Sequence, residues 1–313
     1  MTKATAIIPE RGLADRLTGL FWRRPNVLLT LLIAPPLIWL GVVYVGSLAA
    51  LLLQSFYSID EFSGVVVPEF TLKTYAELFR PQNFDIIWRT LLMSALVTLA
   101  SAIIAFPIAY FAARYAKGRW KAVFYLGVML PLWSSYLVKV YAWKLILAKE
   151  GIVTWAAEKL GAGFVIDWIL AIPAIGGNSL STSYIGTFIV FVYVWLPFMI
   201  LPMQASLERV PTSMLEASAD LGATRAQTFR TVILPLALPG VIAGSIFTFS
   251  LTMGDYIIPQ IVGTSARFIG LAVYQQQGTA GNLPLAAAFA VVPIVIMLVY
   301  LALAKRAGAF DAL

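Results

Sequence analysis

Residues 216–222 read Glu-Ala-Ser-Ala-Asp-Leu-Gly, and residues 233–235 read Ile-Leu-Pro. This small and polar stretch lies between two long apolar segments of the chain. Its alanines and serine leave room for another backbone to approach closely, while the charges of Glu216, Asp220 and Arg225 favour contact with water. The pattern therefore predicts a structured docking surface on the loop between two apolar segments.

The composition is that of a membrane protein. Of the 313 residues, 60% are hydrophobic and only 12% are charged, which is too little charge for the surface of a soluble domain of this size. A helix needs about 20 mostly apolar residues to cross a hydrocarbon core of about 30 Å, and helices satisfy their own backbone hydrogen bonds in lipid. The sequence therefore predicts an all-α integral membrane protein with six transmembrane helices, at Val27 to Phe56, Ile86 to Ala113, Ala122 to Trp143, Tyr184 to Ser206, Pro239 to Val262 and Pro284 to Ala304.

The third of these runs is less uniform than the others. Its continuation through Lys139, Lys144 and Lys149 is amphipathic, so we expect it to leave the bilayer early or to run along the outer surface. The loop that follows is expected to contain a short amphipathic helix near Ile152 to Leu160.

The placement of lysine and arginine predicts the orientation of the chain. Most of the 22 basic residues lie in the two termini and in the loops after the second and fourth runs, whereas basic and acidic residues balance in the loops 57–85 and 144–183. Basic flanks are retained on the cytoplasmic side. We therefore expect a multi-pass protein with cytoplasmic termini, comprising an N-terminal tail (1–24), a membrane domain (25–305) and a C-terminal tail (306–313).

Cap signals predict the local structure of the loop 207–236. Ser213 to Glu216 and Thr224 to Gln227 have the spacing of capping boxes, and Gly222 can take the left-handed conformation that ends a helix. Pro235 and Pro239 are expected to separate the second short helix from the next span. The predicted product is a helix–turn–helix with a face of small residues, Ala217, Ser218, Ala219 and Ala223.

The loop resembles the cytoplasmic "EAA" loop of the membrane subunits of binding-protein-dependent ABC importers. In that pattern a Glu-Ala-Ala triplet precedes a glycine and then an Ile-x-Leu-Pro sequence. Glu216, Ala217, Gly222 and the pair Leu234-Pro235 match it, and Ser218 replaces the second alanine. The segments that start at Leu130, Leu196 and Met253 extend the resemblance to spermidine/putrescine-type permease subunits over roughly residues 25–305.

This resemblance implies a type I ABC importer permease fold in a bacterial inner membrane. It implies three protein partners: an ABC ATPase homodimer, a second permease subunit in a heterodimer, and a periplasmic or extracellular substrate-binding protein. The chain itself is expected to be no enzyme and to hold no cofactor or metal. It lacks a phosphate-binding Gly-x-x-x-x-Gly-Lys-Ser/Thr loop, so ATP and Mg are expected to bind the ATPase. The residues implied in ATPase coupling are Glu216, Ala217, Ser218, Asp220, Gly222, Ala223 and Arg225.

Asp255 is the one acidic residue placed well inside a predicted span, in its outer half. Ionisable residues inside the membrane are costly and commonly functional, and a carboxylate there can receive an ammonium group of a cationic solute such as a polyamine. The alternatives are that it reaches the outer interface or caps a helix broken at Gly254, and that the aromatic residues are packing or interfacial residues. The candidate pathway residues are Asp255, Tyr256, Trp133, Ser134, Tyr136, Tyr193 and Trp195.

The sequence pattern leaves other functions open. A permease for an opine, a phosphonate, thiamine or ferric iron shares the same pattern, and a secondary transporter is a more distant alternative. An intramembrane protease or transferase is disfavoured because the chain has no histidine and no cysteine, and no second membrane aspartate accompanies Asp255. The net charge of +7 lies beside membrane spans, so it indicates contact with anionic lipid and not with nucleic acid.

Overall fold

The first span is one apolar helical segment with a wide turn in its middle. The computed structural model of the chain describes residues 25–60, 62–264 and 268–306, so the predicted tail 1–24 and residues 307–313 lie outside the described part. Helix α1 (Pro25–Trp39) continues through a π-helical turn (Leu40–Val45) into α2 (Gly46–Gln54). Residues 28–54 are long and apolar enough to cross a membrane, and they belong to a unit separate from residues 55–313.

A small hairpin and a short helix follow in the predicted outer loop. Strands β1 (Ser58–Ile59) and β2 (Val66–Val67) pair antiparallel, and α3 (Lys73–Leu78) comes next. The rings of Phe56 and Tyr75 lie 5.2 Å apart and pack this loop together. The sequence did not predict this hairpin, which is too short to alter the all-α class.

Three long helices form the centre of the second unit. Helix α4 (Pro81–Arg114) and α9 (Tyr184–Arg209) pack against each other, and both contact α12 (Leu234–Gly254). Small residues permit this packing: Ala105 and Ala109 of α4 are fully buried. Without strong hydrophobic driving force in lipid, such close backbone approach is what holds membrane helices together.

Two further helices pack beside the three central ones. Helix α14 (Ile269–Gly278) packs against α15 (Leu283–Arg306). The hydroxyl of Thr90 in α4 accepts a hydrogen bond from the backbone N–H of Ile269 at 2.9 Å, so the start of α14 is tied to the core. Both groups are buried, and such a bond is costly to leave unmade.

The predicted third span is broken. Helix α5 (Arg119–Trp133) ends and α6 (Tyr136–Ile146) begins after a bend of 95°. The sequence predicts that this run leaves the bilayer early or follows the outer surface, and the structure shows a sharp break between two helices in place of one continuous span. Then follow α7 (Ile152–Lys159), which matches the predicted amphipathic helix, and α8 (Gly163–Leu170).

The predicted fifth span is wrong at both ends. Helix α11 (Arg225–Thr228), a π-helical turn (Phe229–Ile233) and α12 form one apolar segment. The wide turn lies just before Pro235, where the missing proline donor would interrupt regular bonding. The segment then stops at Gly254, and the short helix α13 (Ile257–Ile261) follows after a break.

Within the described residues, five helical segments are long and apolar enough to span a membrane, or six when the bent pair of α5 and α6 counts as one. The core of residues 55–306 divides along the bundle. Val190 belongs to the apolar cluster that includes Val140 and Ile258, while Met203 belongs to the cluster that includes Ile233. We call the end near residues 207–236 the loop end and the end near Ser134 and Asp255 the break end.

Candidate functional site

The loop end carries a compact helix–turn–helix. Helix α10 (Thr212–Asp220) ends two residues before Gly222. The φ of Gly222 is +74°, in the left-handed region that favours glycine. The N–H of Gly222 donates to the carbonyl of Ala219 at 2.8 Å, and the N–H of Ala223 donates to the carbonyl of Ser218 at 3.1 Å. This pair of bonds is the Schellman arrangement, so the sharp turn predicted at Gly222 is present.

One of the two predicted capping boxes forms. The N–H of Thr224 donates to Oε1 of Gln227 at 2.8 Å, and the N–H of Gln227 donates to the Thr224 hydroxyl at 3.3 Å. The box predicted at Ser213 is wrong, because α10 starts at Thr212 with Pro211 as its cap and Ser213 already lies inside the helix. A separate hydrogen bond joins the two short helices: the hydroxyls of Ser218 and Thr228 lie 2.9 Å apart.

An apolar hollow of about 550 Å³ opens between these helices and the start of α12. Leu221 at its edge is 88% exposed, an unusual cost for a leucine unless another surface covers it. Glu216, Asp220 and Arg225 are exposed and form no salt bridge within the described ranges. The lining residues are Met214, Ala217, Ser218, Leu221, Ala223, Thr231, Val232, Pro235 and Leu236, so Ala219 does not belong to the predicted small-residue face.

Asp255 lies at a helix break and not in the middle of a span. Its Oδ1 atom accepts hydrogen bonds from the N–H groups of Ile257 at 2.8 Å and Ile258 at 3.1 Å, and it thereby caps α13. Its Oδ2 atom accepts the hydroxyl hydrogen of Tyr136, the first residue of α6. The alternative that Asp255 caps a helix broken at Gly254 therefore describes its geometry.

A second hollow, of about 340 Å³, lies beside this carboxylate. The rings of Tyr136 and Trp195 stack on one side, with centroids 5.8 Å apart and planes at 21°. The ring of Tyr256 stacks on Tyr274 at 4.9 Å. The lining residues are Tyr136, Trp195, Ser250, Leu251, Gly254, Asp255, Tyr256 and Ile257. A carboxylate between aromatic faces can bind an ammonium group.

The pattern of a known family covers most of the bundle. The profile of the binding-protein-dependent transport system inner membrane component matches residues 105–308. The chain belongs to this family. It is 57% identical over 305 residues to the inner membrane ABC transporter permease protein YdcU of Escherichia coli K12, with 97% of each chain covered. It is also 31% identical over 244 residues to the spermidine/putrescine transport system permease protein PotB of the same strain, covering 78% of this chain and 84% of the relative.

Solved structures agree with the family. A bacterial ABC transporter that imports the acidic polysaccharide alginate has a chain that matches with a TM-score of 0.69 and 20% identity, covering 93% of this permease and 99% of that chain. A second alginate transporter structure, in complex with an alginate pentasaccharide-bound periplasmic protein, gives a TM-score of 0.70, with 19% identity and coverage of 94% and 97%. The predicted type I importer permease fold is confirmed, and the protein is a membrane-spanning subunit of an ABC importer.

Three predicted pathway residues of the permease lie away from the hollow at the break end. Trp133 is 75% exposed at the end of α5, and the Ser134 hydroxyl donates to the carbonyl of Pro131 at 2.9 Å. Tyr193 packs on Trp143, with ring centroids 5.0 Å apart. The structure thus brings together Tyr136, Trp195, Asp255 and Tyr256, and it leaves Trp133, Ser134 and Tyr193 outside.

A polar cluster at the base of the loop was missed by the sequence analysis. Oε1 of Glu208 in α9 lies 2.9 Å from Nζ of Lys121 in α5. The same oxygen accepts hydrogen bonds from Tyr125 and Gln204, each at 3.1 Å. The sequence contains a signal for one of these contacts: Gln204 and Glu208 are four residues apart on one helix, a spacing that makes their side chains neighbours. The cluster joins the helix that precedes the loop to the helix whose far end bends at the break end.

Proposed function

We propose that this permease forms half of the substrate pathway of its importer and couples ATP hydrolysis by a separate ATPase to uptake of a small cationic solute of the polyamine type. The observation that carries the proposal is the carboxylate of Asp255 beside an aromatic hollow, at the opposite end of the bundle from an exposed docking loop. Asp255 has no lysine or arginine partner in the described part of the chain.

The loop end is proposed as the ATPase contact. Its hollow is apolar and open, and small residues at Ala217, Ser218 and Ala223 let a partner approach the backbone. Apolar surface of this kind on a structured loop marks a protein interaction site. Glu216, Asp220 and Arg225 lie exposed on the two short helices of this loop, and their charges would help to orient the partner. In this arrangement Gly222 shapes the turn, and the loop end faces the cytoplasm with both termini.

The break end is proposed as the solute contact. Asp255 has no lysine or arginine partner in the ranges that the structure describes, and a carboxylate of this kind attracts cations and repels anions, so a phosphonate fits less well than an amine. Thiamine, which is cationic, and opines remain alternatives. The name of the PotB relative supports a polyamine, whereas the name of the YdcU relative states no solute. Aromatic faces of Tyr136 and Trp195 suit an aliphatic chain with charged ends.

Further partners follow from this arrangement. Half a pathway requires a second permease subunit, for which we propose a heterodimer. The loops at the break end, with the hairpin of β1 and β2, are the proposed contact for a substrate-binding protein outside the inner membrane. The leucine and valine side chains that are exposed on the long helices would lie against membrane lipid.

The test is recovery of the ATPase with the solubilised permease. Ala217→Arg places a long charged side chain in the hollow at the loop end without altering the turn, and we expect the co-purified ATPase to fall about tenfold, the effect of about 1.4 kcal/mol. Ala280→Arg is the matched control, since Ala280 is an exposed alanine at the far end of the bundle. Equal recovery of the ATPase with both variants would contradict the proposed contact.

A further inference from the structure

Two helix breaks meet at one hydrogen bond. The first is the 95° bend between α5 and α6, and the second is the interruption between α12 and α13. Tyr136 is the first residue of α6, and Asp255 directly follows Gly254, the last residue of α12. The bond from the Tyr136 hydroxyl to Oδ2 of Asp255 therefore joins the two breaks directly.

The two carboxylate oxygens of Asp255 are held in different ways. Oδ1 accepts from two backbone N–H groups, and losing those bonds would unwind the start of α13. Oδ2 is held by Tyr136, whose side chain can move without loss of any backbone hydrogen bond. A ligand can thus exchange with Tyr136 on Oδ2 while Oδ1 continues to cap the helix.

We infer that Tyr136 is a latch that occupies the position on Asp255 taken by the ammonium group of the solute, so that a cationic solute opens the latch by replacing the hydroxyl. The inference rests on the proposed function in one respect, that the hollow at the break end belongs to the pathway. Displacement of Tyr136 releases the bond between the two breaks, and arrival of the solute is thereby linked to the geometry of both helices.

The electrostatics favour this exchange. A phenol hydroxyl is neutral, whereas an ammonium group forms a charged pair with the carboxylate, and such a pair gains strength away from water. Lys139 lies three residues after Tyr136 on α6, but it forms no salt bridge with Asp255, and its Nζ atom donates to the carbonyl of Pro131 at 2.7 Å. Among the described residues, no lysine or arginine pairs with the carboxylate of Asp255, so its negative charge can attract a cationic solute.

The latch also supplies selection. A neutral alcohol offers Asp255 nothing that the Tyr136 hydroxyl does not already give, and an anion is repelled. Discrimination of this kind depends on an occupied site that only the correct ligand can take over. The ring of Tyr136 stacks on Trp195. After the hydroxyl is displaced, the ring stays close to Trp195, and both aromatic rings remain beside the bound cation.

The absence of cysteine from the sequence makes a direct test possible. Ser250 lines the hollow and is exposed, so Ser250→Cys places a single thiol there in the full-length chain. The rate of its modification by a cationic methanethiosulfonate reagent, divided by the rate for a neutral one of similar size, reports the charge that the hollow offers. The measurement is made in native membranes that contain the assembled importer.

Three second-site variants test the latch. Tyr136→Phe frees Oδ2, and we expect the cationic preference to rise by about tenfold. Asp255→Asn keeps an oxygen to cap α13 but removes the charge. The ratio of the cationic to the neutral modification rate should then fall to the ratio measured for a small thiol free in solution. Tyr141→Phe is the control, because Tyr141 is 55% exposed on the same helix and does not line the hollow. A Tyr136→Phe ratio equal to that of Tyr141→Phe, or a cationic preference that survives Asp255→Asn, would overturn the inference.

A protection assay separates this inference from the proposed function. Putrescine should slow modification of the thiol at position 250, and 1,4-butanediol, its uncharged counterpart, should not. If the reagent ratios follow the latch but putrescine gives no protection, the latch stands and the polyamine assignment fails. If putrescine protects equally well with and without the Tyr136 hydroxyl, the solute class stands and the latch fails.

Discussion

Nζ of Lys139 lies 2.7 Å from the carbonyl oxygen of Pro131, across the bend between α5 and α6. The last carbonyls of a helix have no partner within the helix, and Pro131 belongs to the last turn of α5. The Ser134 hydroxyl donates to the same oxygen. A cation at the C-terminal end of a helix also interacts favourably with the negative end of the helix dipole. Lys139 therefore acts as a cap that holds the bend.

We predict that Lys139→Met loosens this bend. The side chain keeps its length but loses its donor and charge, and the folded subunit should lose about 1 kcal/mol of stability. Thermal unfolding in detergent measures the change. Lys144→Met is the control, since Lys144 lies on the same helix, is exposed, and its side chain forms no salt bridge within the described residues. A melting temperature that falls no further for Lys139→Met than for the control would contradict the capping role.

A second prediction concerns the contact between α9 and α12. A Cβ atom added at Gly240 would lie 2.5 Å from Oγ of Ser206 and 2.6 Å from the carbonyl oxygen of Pro202. Backbone cannot yield as a flexible side chain does, so Gly240→Ala should destabilise the subunit by about 1 to 3 kcal/mol. Detergent-stable yield and melting temperature would both fall.

Gly127→Ala is the matched control for this change. Gly127 also lies inside a helix, α5, but nothing lies within 4 Å of an added Cβ. There alanine should stabilise the helix by about 0.5 to 1 kcal/mol, because glycine loses more backbone entropy on folding. Opposite signs for the two substitutions are expected, and a gain in stability at Gly240 would show that the helices pack less closely than described.

The first, second, fourth and sixth spans are predictable because their signal is simple. A run of about 20 apolar residues is a helix in a membrane whatever surrounds it. The breaks are less predictable because a proline does not by itself indicate where a helix breaks. Pro107, Pro202 and Pro239 lie inside continuous helices. The bend instead follows Trp133, and the second break follows Gly254. Whether a helix breaks depends on groups that satisfy its freed ends, and these come from elsewhere in the chain.

The same distinction applies to the sites. The box at Thr224 and the turn at Gly222 were predicted because each depends on neighbours within a few residues. The pairing of Tyr136 with Asp255 joins positions 119 residues apart, and no single sequence indicates such a contact. Asp255 was singled out for its charge, but its role as a cap could not be chosen over a mid-span position until the end of α12 was known.

A third prediction concerns the turn in the docking loop. The φ of +74° at Gly222 strains any residue with a Cβ, so Gly222→Ala should cost about 1 to 2 kcal/mol. The amides of Gly222 and Ala223, which close the Schellman turn, should then exchange hydrogen faster. Gly222→Asn should lose less protection, because asparagine tolerates this conformation. Gly278→Ala, at a helix end with open space and no left-handed φ, serves as control.

The cluster around Glu208 gives the last prediction. Its carboxylate and the ammonium of Lys121 are partly exposed, at 29% and 38%, so the ion pair should contribute no more than about 1 kcal/mol. Glu208→Gln removes the charge, and its deficit in melting temperature should shrink at about 1 M salt, where the Debye length is about 3 Å. Glu158→Gln, an exposed carboxylate without a salt bridge in the described ranges, should change little at either salt concentration. A deficit that is independent of salt would mean that Glu208 acts through its hydrogen bonds to Tyr125 and Gln204 and not through the ion pair.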